Sequence, residues 1–211
     1  MPTTQGRRSP WSRHPLRPSW LVLVAVTAGC VPRTALMDYR ASAGFALSPP
    51  PPDKALVVFV RPGRMAGYVA SVIYDDQDII SVLMDETYAA YQAKPGIHRF
   101  MVVSEAADFM DADLEAGKVY FAEVQVRMGV WRGRFSLRPV TPRDEEWPEL
   151  REWLSRSRLV TLNAAGRSWA QENANSVHNK HDAYLQKWLA KNEHERPTLF
   201  AQDGVRLEDL P

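Results

Sequence analysis

The sequence predicts a mainly β protein, an antiparallel β-sandwich of about 7–8 strands followed by a C-terminal helical extension. Between Ala55 and Val140, short β-branched and aromatic runs are broken by turn residues every 8 to 12 positions, which is typical of sandwiches. After Val140 the apolar residues recur at spacings of three and four, which indicates helices. An apolar content of 45% in 211 residues is sufficient for a core.

The first thirty residues have the pattern of an export signal. The apolar run 21–29 ends at Cys30, the only cysteine, and four arginines but no acidic residue precede it. A bilayer span needs about 20 apolar residues, so this run predicts a secretory signal instead. The tetrapeptide Thr27-Ala-Gly-Cys30 resembles the lipobox of bacterial lipoproteins, with Thr27 where leucine is usual. The resemblance implies removal of residues 1–29 and acylation of Cys30.

Two alternatives exist for this segment. Cys30 could be a buried thiol ending a core helix, but nineteen preceding residues rich in Arg, Pro and Ser are atypical of one. Arg7-Arg8 suggests the twin-arginine export route, but Ser9-Pro10 follow where that signal has apolar residues.

The residue directly after the cysteine is Val31 and not Asp. By resemblance to Gram-negative lipoproteins, the lipobox-like motif predicts a lipid-anchored protein on the periplasmic side of the cell envelope. The same resemblance makes Val31 at this position favour the outer membrane.

Charge and composition set further limits on the chain after the signal. Without residues 1–29 it has 22 basic and 25 acidic residues, a net charge of −3, which argues against nucleic acid as a partner. Residues 30–53 include Ser48-Pro-Pro-Pro-Pro52 and predict a proline-rich tether that holds the domain about 25 Å from the lipid. We expect a β-sandwich domain over 54–140 and a helical extension over 141–211.

The sandwich strands are delimited by turns that contain Gly, Pro or Asp. Close turns of this kind favour antiparallel pairing of neighbouring strands. Strands are expected near 55–60, 67–74, 79–83, 87–92, 97–104, 109–114, 119–128 and 131–140.

The last two strands are predicted to form a hairpin. Gly129-Val130 suits a two-residue type II′ loop, which would pair Met128 with Trp131 and Val124 with Phe135. Apolar residues then share one face, and a one-residue slip would bury the arginines of the other face. We call that other set the arginine face: Arg127, Arg132, Arg134 and Arg138.

The arginine face has two interpretations. It is a solvated strand surface balanced by Glu123 and by acids of the C-terminal helices, or it binds an anionic envelope component. Guanidinium groups suit lipid phosphate, a peptidoglycan carboxylate or an acidic protein. Trp131 and Phe121 would add stacking in the second case.

Several segments of the sandwich region resemble an uncharacterised family of bacterial lipoproteins that contains a domain of unknown function. The resemblance covers residues 55–140, and a longer subgroup shares the Trp-rich C-terminal segment. It implies a transthyretin-like or PEGA-like β-sandwich and an envelope location, with no catalytic residue to carry over. The resembling segments are 55–64, Ile73-Tyr-Asp75, Lys94-Pro-Gly-Ile-His98, Ala116-Gly-Lys-Val-Tyr120 and Trp131-Arg-Gly-Arg-Phe-Ser-Leu137.

Two helices are predicted after the sandwich. Thr141-Pro-Arg-Asp144 is a helix start signal, although Pro148 delays the start, and the first helix places an apolar face over 147–154. The second is expected over 158–191 and would be about 50 Å long if unbroken. It either breaks near 173–176 and folds back, or projects as an arm, which the polar Asn173 and His181 favour. The stripe that would contact an envelope protein or a second copy is Val177, His181, Tyr184 and Trp188.

Catalytic and metal motifs are weak. His178 and His181 lie one turn apart beside Asp182, but a further ligand at suitable spacing is missing, which favours a solvated face. The sandwich region has one histidine, His98, and no Gly-x-Ser-x-Gly motif. We therefore expect a non-enzymatic binding or assembly module without metal or cofactor. The alternatives are an envelope hydrolase, in which Ser, His and an acid converge, and a ligand-sensing lipoprotein with a closed apolar cavity between sheet and helices.

Overall fold

A computed structural model describes residues 32–41, 43–63, 69–128 and 133–211, besides Met1. Its contacts divide the chain into residues 1–30 and residues 31–211, and the fold below is that of the second unit. The predicted signal, Cys30, Trp131 and Arg132 lie outside the described residues. Within the described part, no helix is long and apolar enough to span a membrane.

The protein is mainly β, with two mixed sheets and two α-helices. One sheet has the order β1-β10-β5-β2-β8-β9 and the other β11-β7-β6-β3-β4. The elements are β1 Met37–Tyr39, β2 Ala55–Arg61, β3 Ser71–Asp75, β4 Asp78–Leu83, β5 Thr87–Ala93, β6 Gly96–Val103, β7 Ala107–Leu114, β8 Val119–Met128, β9 Gly133–Val140, α1 Leu150–Arg156, β10 Arg158–Leu162, α2 Ala164–Leu189 and β11 Thr198–Leu199.

The β-rich prediction is confirmed at this coarse level, and β2 to β9 match the eight expected strands closely. The expected antiparallel arrangement of about 7–8 strands is supported only roughly, because both sheets are mixed and the described residues form eleven strands. The chain passes between sheets after β2, β4, β5, β7 and β10, so strands distant in sequence become neighbours. Three of these pairs are parallel: β2 with β8, β5 with β10, and β7 with β11.

The main core lies between the two sheets. Phe59 of β2 meets the ring of Phe100 of β6 edge-on, with centroids 5.1 Å apart. A second apolar layer lies on the outer face of the six-stranded sheet, where α1 buries Leu150, Trp153 and Leu154. The apolar face expected over 147–154 is therefore confirmed.

The first helix begins later than its start signal. The backbone N–H of Thr141 donates to Asp144 Oδ2 at 2.6 Å, which closes a turn in place of a helix. A 3₁₀ turn, Trp147–Glu149, contains Pro148 and leads into α1. This is the delay that Pro148 predicted.

Helix α2 is unbroken over 26 residues and is about 39 Å long. It packs on the outer face of the five-stranded sheet, with Val177, His181 and Trp188 buried. The expected break near 173–176 is absent, and the favoured projecting arm is wrong. Residues 158–162 form β10, which shortens the helix to a length the sheet can cover. Asn173 satisfies its amide by donating to the Trp169 carbonyl at 2.8 Å.

The predicted tether over 30–53 is partly folded into the domain. Strand β1 pairs antiparallel with β10, and Leu36 and Met37 are buried. Gly44 donates its N–H to the Ser157 carbonyl at 3.2 Å and accepts from the Tyr88 hydroxyl at 3.0 Å. The tether prediction is therefore wrong for this part of the segment, because apolar residues of the segment find partners that lie more than a hundred residues later.

The β8–β9 hairpin has a register two residues away from the expected one. Val126 pairs with Phe135 and Val124 with Leu137, and the strands are joined by residues 129–132 instead of two residues. The predicted pairs and the two-residue loop are thus wrong. A shift of two leaves every side chain on its predicted face, because strand side chains alternate with period two.

Candidate functional site

The arginine face lies on the outer face of β8 and β9, at one edge of the six-stranded sheet. Arg127 and Arg134 are directly opposite each other, and Arg138 is opposite Glu123. Both Arg127 and Arg134 are exposed, and Arg127 Nε donates to the buried Ser136 hydroxyl at 2.7 Å. The two strands thus place two exposed arginines directly opposite each other.

Arg138 is engaged within the chain. Its guanidinium contacts Glu123 Oε2 at 2.8 Å and Glu146 Oε2 at 3.0 Å. Burial disfavours the charge of Arg138, but hydrogen bonds to both acids outweigh it and raise the pKa of the guanidinium. The hydrogen bond from Arg138 also lowers the pKa of Glu146. Arg138 therefore connects β9 to the segment before α1, as the balanced-face alternative requires.

Arg127 and Arg134 have no such acid. Among the described residues, no ion pair involves either of them. Like charges directly opposite on neighbouring strands destabilise a sheet, since their Cβ atoms lie about 5 Å apart. An anion placed between the two guanidinium groups would remove this repulsion through charge-assisted hydrogen bonds.

A cleft of about 300 Å³ lies beside the arginine face, lined by residues of β8, by Trp153 of α1 and by Arg61. Arg61 is 1% exposed and contacts Asp85 Oδ1 at 2.7 Å, so its charge is neutralised within the chain. Trp153 Nε1 donates to Glu149 at 3.1 Å. Phe121 is buried against Trp147, with ring centroids 5.9 Å apart, so the expected stacking on a ligand is wrong for Phe121.

Sequence reasoning missed a network at the rim between the sheets. His98 Nδ1 contacts Asp75 Oδ2 at 2.8 Å, and His98 Nε2 contacts the Lys94 carbonyl at 2.8 Å. Tyr91 of the other sheet donates to the same Asp75 oxygen at 3.0 Å. Both ring nitrogens face acceptors, so this geometry favours the imidazolium. The hydrogen bond to Asp75 raises the pKa of His98, although burial opposes it.

The network does not contain a nucleophile. Among the described residues, no histidine hydrogen-bonds a serine, and the histidine partners are carboxylates, carbonyls and an amide. Burial, and then the negative charge of Asp75, raise the pKa of the Tyr91 hydroxyl. No single sequence signal would have found this cluster, because its three side chains come from three separate strands.

The histidines of α2 hold the helix to the β3–β4 turn. Asp182 contacts both His178, at 3.2 Å, and His181, at 2.9 Å. His181 also lies 3.5 Å from Asp76 and meets Phe109 edge-on. No group of three or more His, Cys, Asp or Glu side chains in the described part of the chain is arranged to hold a metal.

The stripe predicted to contact a partner is largely taken by the protein's own sheet. Val177, His181 and Trp188 are buried, and Trp188 packs against Phe109 at 5.9 Å. Tyr184 is half-buried beneath Lys187. These side chains are not free to meet a partner in this conformation.

Two crevices flank α2 on the five-stranded sheet, with volumes of about 410 and 280 Å³. Both reach the surface, unlike the closed apolar cavity expected of a ligand sensor. Tyr74 lines the smaller one, and its buried hydroxyl has no hydrogen-bond partner among the described residues. Burial raises the pKa of Tyr74 to about 12.

Searches against models of protein families, curated proteins and solved structures find no match to this chain.

Proposed function

We propose that this protein is a lipid-anchored lipoprotein of the cell envelope that acts as a non-enzymatic binding or assembly module. The anchor is lipid on Cys30, and the ligand is a phosphate- or carboxylate-bearing envelope component held by Arg127 and Arg134. The binding role is supported by this exposed pair, opposed across the hairpin, with no ion pair to an acid among the described residues. The lipobox-like motif and the family resemblance support the anchor, the periplasmic side and the outer membrane.

The geometry of the pair suits an anion better than a cation or an apolar ligand. Arginine keeps its charge at all physiological pH values and presents a planar donor array to carboxylate or phosphate. Arg127 is already held by its hydrogen bond to Ser136, so less side-chain entropy is lost there on binding. Arg132, the remaining member of the predicted arginine face, lies outside the described residues.

The anchor is tested by labelling cells with a fatty-acid probe. The wild-type chain should incorporate label, whereas Cys30→Ser should remain an unlabelled, uncleaved precursor because processing depends on the thiol. Equal labelling of the two forms would remove the anchoring part of the proposal.

The binding role is tested with Arg127→Glu/Arg134→Glu in the lipidated full chain. Wild-type protein should bind isolated cell-wall sacculi, which contain no bilayer for the lipid anchor to enter, with an affinity that falls as salt rises. The double variant should lose this binding. The matched control Lys94→Glu/Arg206→Glu changes the net charge equally at exposed positions elsewhere and should retain it. Binding that is equal in both variants would contradict the assignment.

A ligand-sensing role is the second candidate, favoured by the unpartnered buried hydroxyl of Tyr74 beside a crevice. Native mass spectrometry of the purified chain should then show a copurifying small molecule, which Tyr74→Phe would weaken. A chain that purifies without any bound molecule and binds none from an envelope extract would contradict this second role.

A further inference from the structure

Arginines concentrate at the opposite edge of the six-stranded sheet, where β1 pairs with β10. We define the β1–β10 edge as these strands with the turn before β1 and the first residues of α2. Only one acidic residue, Asp38, lies within residues 32–41 and 156–168. The exposed arginines are Arg33, Arg40, Arg158 and Arg167.

These four arginines differ from their neighbour Arg156 in their ion pairing. No ion pair of the described residues involves them, whereas nearby Arg156 pairs with Glu152 at 3.3 Å and is therefore not counted. Two of them lie over aromatic rings: Arg33 over Trp169 at 4.1 Å and Arg158 over Tyr39 at 4.8 Å. Two acids lie near the edge: the Glu86 carbonyl accepts from the Arg158 N–H at 2.9 Å, and Glu105 lines a crevice together with Arg33. The edge itself has four arginines and one acid, while the rest of the chain from Cys30 onwards has 18 basic and 24 acidic residues.

The edge begins where the anchor ends. Pro32 is two residues from Cys30, a distance of at most about 7 Å along the chain. The turn Arg33–Leu36 follows at once, with Leu36 buried. If Cys30 carries lipid, only Val31 lies between the lipidated residue and the first residue of the described domain.

We propose that the β1–β10 edge rests on the membrane that holds the Cys30 lipid and binds its anionic headgroups. This inference relies on the acylation of Cys30 proposed above. Each basic residue near an anionic lipid surface strengthens binding about fivefold at moderate salt. The effect extends about one Debye length, roughly 10 Å, which the short connection keeps in range. Trp and Tyr are also the residues enriched at membrane–water interfaces, and Trp169 and Tyr39 lie beneath the arginines.

The same orientation directs Arg127 and Arg134 away from the bilayer. Strand β9 is five strands from β1, which corresponds to about 24 Å at the usual strand spacing. The arginine face would then remain open to a second component on the periplasmic side. One edge of a single sheet would contact lipid, and the other edge would recruit the ligand.

The test places fluorescent probes at the two edges of the mature lipidated protein. Lipid blocks the Cys30 sulfur, so a thiol dye attaches only to an introduced cysteine. Thr161→Cys marks β10, and Gln202→Cys marks the exposed turn beside β9. In vesicles of about 30% anionic lipid with headgroup-linked quencher, we expect the Thr161 probe to be quenched at least threefold more than the Gln202 probe.

Charge reversal separates the arginines from the anchor. Substituting Glu for Arg33, Arg40, Arg158 and Arg167 should reduce quenching at position 161 to the level at position 202. Substituting Gln at the same four positions should give an intermediate value. The Gln variant also keeps the test valid if the Glu variant does not fold. Charge reversal at four exposed cations elsewhere should leave the wild-type difference in quenching between positions 161 and 202. These control positions are Lys94, Lys187, Lys191 and Arg206.

The outcomes distinguish this inference from the proposed function. Equal quenching at both positions, or unchanged quenching after reversal, in a chain that has incorporated fatty acid would overturn only the membrane contact of the edge. A chain that incorporates no fatty acid would contradict both the proposed anchor and the proposed membrane contact of the edge.

Discussion

Arg61 is a charged side chain in the interior of the protein. Its guanidinium is 1% exposed and donates to the carbonyls of Val69 and Leu83, while Asp85 supplies the counter-charge at 2.7 Å. The guanidinium also lies 4.7 Å from the ring centroid of Phe135, on strand β9 of the same sheet. Burial lowers the pKa of this group because desolvation disfavours the charge, and Asp85 offsets this only in part.

Removal of the Asp85 carboxylate charge should therefore lower the stability of the folded protein. We expect Asp85→Asn to lower the free energy of unfolding by about 2 kcal/mol, because a buried guanidinium keeps its desolvation penalty without its partner. Urea denaturation measures the difference. The control is Glu193→Gln, whose ion pair with Arg196 is formed by a 94% exposed carboxylate and should be worth less than about 0.5 kcal/mol. Equal effects of the two substitutions would contradict this account of Arg61.

His98 should make stability depend on pH. Its folded pKa is raised, chiefly by the hydrogen bond to Asp75, so the folded state binds the proton more tightly than the unfolded state. The contribution is fully present below the unfolded pKa of about 6.5 and is lost as pH rises through the higher folded value. We expect the difference in unfolding free energy between wild type and His98→Gln to shrink as pH rises above about 6.5 and through the folded pKa of His98.

The matched variant for this prediction is Asp75→Asn, which keeps the size of the side chain and removes its charge. NMR titration of the His98 ring should show a lower pKa in Asp75→Asn than in the wild type. An unchanged His98 pKa would mean that the hydrogen bond of 2.8 Å does not set the protonation of the ring.

The arginines show what residue identity and spacing alone predict. The alternation of β8 and β9 correctly places Arg127, Arg134 and Arg138 on one face. Which arginine is neutralised could not be predicted, because Glu146 reaches Arg138 from a turn whose position depends on the packing of α1. The network of His98 could not be predicted for the same reason, since it includes Tyr91 from the opposite sheet.

At the scale of elements, the start of α2 depends on a close approach of two segments. Asn163 caps the helix by accepting from the Gly166 N–H at 3.0 Å. A Cβ atom on Gly166 would collide with the Leu36 carbonyl oxygen and would lie 2.5 Å from Leu162 Cδ1. The glycine thus lets the turn before β1 and the end of β10 pack against the helix.

This contact predicts a reversal of the usual helix preference. Gly→Ala within an exposed helix stabilises by about 1 kcal/mol, but Gly166→Ala should destabilise by about 1–2 kcal/mol because the backbone of Leu36 must move. Thermal unfolding of Gly166→Ala beside Ser168→Ala, at an exposed position of the same helix, measures the effect. A stabilised Gly166→Ala chain would show that the two segments are not packed this closely.

Elements with strong local patterns were predictable, and those made by distant partners were not. Eight strands follow from alternation and turn chemistry, and their ends agree within a few residues. Strands β1 and β11 have only three and two residues, and β10 pairs with β1 and β5 across long stretches of chain. Because β10 was not predicted, the predicted second helix began at residue 158. A helix of that length is too long for the sheet to cover, which led to the wrong prediction of a projecting arm.

At the scale of the whole molecule, the six-stranded sheet has two arginine-bearing edges with different surroundings. The β1–β10 edge follows Cys30 within a few residues, and the β9 edge carries the opposed pair Arg127 and Arg134. A lipid on Cys30 would bring the first edge to the bilayer and leave the second for a ligand. The functional account therefore depends on that modification more than on any other feature.

The mass of the N-terminal tryptic peptide from membrane-fraction protein tests this claim most directly. We expect the peptide Cys30-Val-Pro-Arg33 with acyl groups on its cysteine, and no peptide from residues 1–29. Recovery of residues 14–33 as one peptide with an unmodified Cys30, in protein extracted from cells of its native host, would contradict the account.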